Sequence, residues 1–168
     1  MKRRSERAIS CLGLLALLGA AACGVVVPER KTVADRAREL EPKCRAFTDE
    51  SAALVLSPNA IDSVEPAYAH VYGPNGPQAR LHGARIHVRP LAGLSRESMT
   101  RSLECHEARV TLGLAAPRAN DPYVLSDHWL SIDVDSEGDA FIVLVGTSDP
   151  VDAQRVLERA RLFAADRP

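Results

Sequence analysis

Residues 130–146 read LSIDVDSEGDAFIVLVG, and the fold class follows from how they alternate. Leu130, Ile132 and Val134 are interleaved with Ser131, Asp133 and Asp135, the period of two of a strand that buries one face. Ser136-Glu137-Gly138-Asp139 supplies a turn, and Phe141 to Val145 returns as the second strand of a hairpin. Downstream, Asp149-Pro150 opens a helix in which Ala153, Val156, Leu157, Ala160, Phe163 and Ala164 recur at helical spacing. Upstream, Ala84, Ile86 and Val88 alternate with Arg85, His87 and Arg89, which predicts another strand with one polar face. Between the two, Ser95 caps a helix that carries Met99, Leu103, His106 and Val110 on one stripe and ends before Gly113. Strand, helix, strand, strand, helix predicts an α+β two-layer sandwich, a mainly antiparallel sheet with helices on one face.

The first half is less regular. Thr32 to Leu40 is charged and helical in character, and Pro42 either interrupts that helix or opens a second one. Cys44, Phe47 and Ala52 to Leu56 then offer an apolar face. Ser57 to Gly83 contains Pro58, Pro66, Pro74 and Pro77 and yields one short strand, Ala67 to Tyr72, followed by a Gly-Pro-Asn-Gly-Pro turn at 73–77.

The chain begins with Lys2, Arg3, Arg4 and Arg7, continues through an apolar stretch from Ala8 to Ala22, and reaches Cys23 after Gly19 and three alanines. This layout resembles a bacterial lipoprotein signal peptide: a cationic start, a short apolar region, and small residues beside a thiol. The resemblance implies cleavage after residue 22, acylation of Cys23 with diacylglyceryl and palmitoyl-type chains, and a lipidated tether over 23–31. The family usually places Leu three residues before the cysteine, where this chain has Ala20. The alternative is an uncleaved anchor, since Ile9 to Val27 is 19 residues without a charge. Gly24 follows the cysteine in place of the Asp that retains many such lipoproteins at the inner membrane, so the resemblance favours outer-membrane sorting in a Gram-negative cell. In either case residues 32–168 form a single domain facing the periplasm or the cell exterior.

Loss of residues 1–22 removes four basic residues and Glu6, which takes the formal charge from −1 to −4. A mildly acidic domain has no electrostatic reason to bind nucleic acid. Arginine outnumbers lysine 18 to 3, read here as a coding bias. Cys44 and Cys105 are the two cysteines left in an oxidising compartment, and they are expected to pair.

Two arrangements carry chemistry on paper. Cys44, Cys105 and His106 offer soft ligands for a metal or a redox role, yet adjacent helical residues point about 100° apart and no spaced ligand motif accompanies them. No metal or other cofactor is therefore expected. Arg85, His87 and Arg89 are expected to lie across from Ser131, Asp133 and Asp135 on the open face of the sheet, as cross-strand ion pairs or as a binding face. No Gly-x-Ser-x-Gly elbow frames a serine, and the Gly-Pro loop lacks the lysine and amides of a phosphate cradle. From the hairpin through Gly146 to the last helix, the order of elements resembles the BON domain of bacterial envelope proteins. That resemblance implies envelope binding in place of catalysis and transfers no residue. The expectation is a non-enzymatic envelope lipoprotein, bound to the membrane by its lipid and to an envelope protein partner by its domain.

Overall fold

The computed structural model describes residues 31–45, 53–74 and 76–167. The expected signal segment 1–22, Cys23 and the expected tether up to Arg30 lie outside the described residues, as does Phe47. Helix α1 (Val33–Leu40) opens with a reciprocal cap, in which the Thr32 hydroxyl accepts from the Asp35 N–H and the Asp35 carboxylate accepts from the Thr32 N–H. Pro42 falls in the first turn of a short 3₁₀ segment, Glu41–Cys44, where its missing N–H costs nothing. The chain continues through a second 3₁₀ turn (Pro58–Ala60), β1 (Ile61–Gly73), β2 (Gly76–Val88), α2 (Arg96–Thr111), β3 (Ser131–Glu137), β4 (Ala140–Gly146) and α3 (Pro150–Ala165).

The strands form one antiparallel sheet in the order β1-β2-β4-β3. Helix α3 packs on β2 and β1, α2 packs on β3, and α1 lies against α2. The α+β sandwich expected from the sequence is therefore present. Its core brings Ile61, Ile86, Val88, Val143 and Val145 from the sheet against Met99 and Leu103 of α2 and Val156, Leu157 and Phe163 of α3. Each such side chain contributes roughly 1.5–3 kcal/mol by leaving water. Tyr123, fully buried, enters this core from the loop after α2 and meets Phe163 edge-on at 6.5 Å.

Residues 57–83 differ from their sequence reading. The short strand expected at 67–72 lies within a hairpin of two 13-residue strands. Two physical features hid it. Pro66 interrupts the strand pattern but sits on β1, an edge strand, where a missing N–H is tolerated. His82 is an extra residue between the pairs Ala67–Gly83 and Tyr68–Leu81, a bulge that breaks the alternation on which the sequence reading relies. Gly83 is required at this bulge, because a Cβ there would collide with the carbonyl oxygen of Val145 on β4. Gly73 pairs with Gly76, which closes the hairpin at the expected turn.

Cys44 and Cys105 are joined, with Cα atoms 5.5 Å apart across a sequence separation of 61. The bridge fastens the end of the α1 segment to the middle of α2, and Arg109 reinforces it by donating to the Cys44 carbonyl at 3.1 Å. Arginines recur in this role: Arg118 donates to the Leu56 carbonyl at 2.6 Å and Arg159 to the Val124 carbonyl at 2.9 Å. The planar, multiply donating guanidinium ties down backbone that has no ladder of its own, so these arginines do more than reflect composition.

Candidate functional site

The face of the sheet away from the helices carries the residues singled out by the sequence. Their neighbours are not those expected. Strand β4 lies between β2 and β3, so Arg85 stands opposite Leu144, and Leu144 stands opposite Asp133. In the same way Ile142 separates His87 from Asp135. Two strand spacings, about 9.5 Å, keep the expected partners apart. The uninterrupted apolar run of β4 is the signature of a strand flanked on both sides and was the available clue.

Two of the basic side chains turn instead toward β1. His87 Nε2 lies 3.8 Å from Glu65 Oε2, too far for a hydrogen bond, and Arg89 Nε lies 3.6 Å from Asp62 Oδ1. Asp133 accepts from the Ser131 hydroxyl at 3.3 Å, and Asp135 accepts from the Ser136 N–H at 2.9 Å. The Arg89–Asp62 pair is solvent-exposed and stabilises the fold by at most about 1 kcal/mol. Arg85 faces Glu65 in the β1–β2 register and has no ion pair or hydrogen bond among the described residues.

Arg85 and Asp133 do share one feature, a hollow of about 330 Å³ where the hairpin bulge meets β4. The hollow exists because Gly146 has no side chain: a Cβ at 146 would strike the imidazole of His82, which lies over it. Glu65 and Arg85 line one side, Ser131 and Asp133 the other, and Leu144 the space between. One permanent cation therefore stands among two carboxylates over an apolar strip. His87, Arg89 and Asp135 lie outside the lining.

Three polar features were not legible in the sequence. His106 Nε2 and Asp121 Oδ2 are 2.6 Å apart and both buried, and the Tyr123 N–H donates to the other Asp121 oxygen at 3.0 Å. This pair holds the loop after α2 and is sealed from ligands. On the surface, His128 Nδ1 lies 2.6 Å from Asp152 Oδ2, and Arg155 holds the other oxygen at 3.0 Å. The buried carboxylate orients a half-exposed imidazole. Beside it, the N–H groups of Asp152 and Val151 hold the carboxyl of the N-cap residue Asp149 below its ordinary range. The third feature is Glu107, 1% exposed, which accepts from the Leu130 N–H at 2.7 Å while its second oxygen has no partner among the described residues. Burial pushes its carboxyl up to about 8, so it is mostly protonated at neutral pH.

Cys44, Cys105 and His106 do not meet as a ligand set, since the sulfurs are bonded to each other and the imidazole is bonded to Asp121. Among the described residues no group of three or more His, Cys, Asp or Glu is placed to hold a metal ion. No helix among them is long and apolar enough to cross a membrane. No family model, curated protein or solved structure matches the chain.

Proposed function

We propose that this chain is a non-enzymatic binding module of a bacterial envelope, tethered to the membrane by lipid on Cys23, with the open face of its sheet as the binding surface. The hollow between β1 and β3 carries this reading, because it leaves Arg85 without a protein partner beside Glu65 and Asp133. An exposed sheet face needs no function on its own. A recessed, glycine-floored site with an unpaired guanidinium and two carboxylates does suit a small ligand or peptide segment that carries both charges, with Leu144 against its apolar part.

The test has two parts on protein purified from its native membrane. Intact mass, with and without reduction before alkylation, is expected to give a chain starting at Cys23 with acyl chains and two thiols that appear only after reduction. A photo-crosslinking residue in place of Ser131 is expected to capture one defined envelope component, and Arg85→Glu is expected to abolish that capture. An unprocessed, unacylated chain overturns the tether. Capture that is unchanged by Arg85→Glu overturns the binding face.

A further inference from the structure

Beyond His82, whose carbonyl accepts from the Thr147 N–H at 2.8 Å, strand β2 has no strand beside it except β1, because pairing with β4 ends at Gly83. Residues 68–81 therefore extend past the four-stranded sheet as a two-stranded arm about 17 Å long. Directly paired residues of antiparallel strands share a face, so Tyr68, His70 and Tyr72 lie on the same side of the arm as Leu81, Ala79 and Pro77. Leu81 packs against the core, which makes this side the continuation of the helix-covered layer past the point where helices cover it. Tyr72 is 89% exposed at the tip and Tyr68 is 63% exposed at the base, with Val71 also exposed. A soluble surface gains nothing from presenting two tyrosines and a valine on a projecting ribbon.

Charge says what they meet. Residues 66–82, the arm and its base, contain no Asp or Glu while Arg80, His70 and His82 fall among them; Arg89 and Arg96 beyond it are paired with Asp62 and Glu97. On the arm itself Arg80 is the one arginine, and it donates to the Ser148 carbonyl at 3.1 Å near the Asp149 carboxylate. An acid-free ribbon with tyrosines at its end has the composition that settles at a negatively charged lipid surface, where the phenol ring enters the interface and the cations meet phosphates. Distance allows it. Only seven residues separate Cys23 from Lys31, at most about 30 Å of extended chain.

We infer that the β1–β2 arm is a second membrane contact, in which Tyr72 and Tyr68 insert at the headgroup level of an anionic bilayer and orient the tethered domain. The inference rests on the lipid tether, which supplies the local concentration that so small a contact needs.

The full acylated chain, reconstituted in vesicles containing brominated phosphatidylglycerol, tests it by tryptophan quenching. Tyr72→Trp places a reporter at the tip. Leu162→Trp, exposed on α3 near its C-terminus, places one at the other end of the hairpin, because Arg167 just beyond it bonds to the carbonyl of Asp62 at the start of β1. Trp129 is the common background. Loss of the added emission at 72 but not at 162, stronger in brominated phosphatidylglycerol than in brominated phosphatidylcholine and weakened by Arg80→Glu, is the expected result. A chain that floats with the vesicles but is quenched equally at 72 and 162, or not at all, overturns the arm contact and leaves the tether standing. Equal quenching in the two lipids overturns its electrostatic part. A wild-type chain that does not float removes the tether and the inference with it.

Discussion

The two ends of the β1–β2 hairpin are built from the same pair of strands and live under different rules. At the open end Val64, Ala84, Ile86 and Val88 face the core, and β4 extends the ladder on one side. At the closed end the ladder continues with no third strand, and Tyr68, Val71, Tyr72 and Arg80 stand in solvent. An isolated two-stranded ribbon is marginal in water, so the arm is held by its attachment to the body. Packing therefore dictates the residues of the body but has little say in those of the arm, and what the arm displays calls for an explanation outside the fold.

The strongest way to break this division is to loosen the body and watch the arm. Cys44→Ser opens a bridge that spans 61 positions and encloses the whole hairpin in sequence. The chain-entropy argument gives a loss of about 4 kcal/mol, read as a lower denaturant midpoint. Hydrogen exchange is expected to rise at the α1–α2 contact and through the core, while arm amides, already near the fast limit, change little. Arm amides that start as protected as those of Ile86 and Val143 would show that arm and body are one cooperative unit, and the comparison would fail.

A second effect belongs to the body alone. Glu107 has a folded-state value of about 8 against an ordinary value of 4.5. Between those limits the native state keeps a proton that the unfolded chain has released, so stability falls as pH rises from about 4.5 to 8 and stays low above that. The loss is about 4 kcal/mol across the window, of the order set by a shift of this size. Glu107→Gln, which keeps the acceptor for Leu130 N–H, is expected to remove the slope whatever its effect on absolute stability. Denaturant melts at pH 5 and pH 8.5 check it, and an equal slope in the variant would show that another buried group carries the effect.

The same division explains what could be read from the sequence. Residues 84–165 were legible because burial imposes period on sequence: Ile86 and Val88 in β2, Met99 and Leu103 in α2, Val156 and Leu157 in α3 each keep their spacing. The arm imposes no such period, and the bulge at His82 shifts what alternation there is. The open face was half legible. Its residues were identifiable from alternation, but their partners depend on strand order, and nothing in the polar pattern of β2 and β3 says that β4 lies between them. Glu107 and the pairs His106–Asp121 and His128–Asp152 were invisible, since their members meet only through the tertiary fold.

The smallest effect sharpens the contrast most. On one strand, Ile86→Ala empties a fully buried site and is expected to cost about 3 kcal/mol. On the partner strand, Tyr72→Ser removes a much larger side chain from a site 89% exposed and is expected to change stability by less than about 0.5 kcal/mol. Side-chain size alone predicts the opposite order, so the pair of variants separates burial from bulk. Equilibrium unfolding of both in one buffer decides it. A cost above about 1 kcal/mol for Tyr72→Ser would mean that the ring packs on the domain in solution. A near-neutral result leaves the tyrosine with no structural reason for its position and directs attention to what touches the arm from outside.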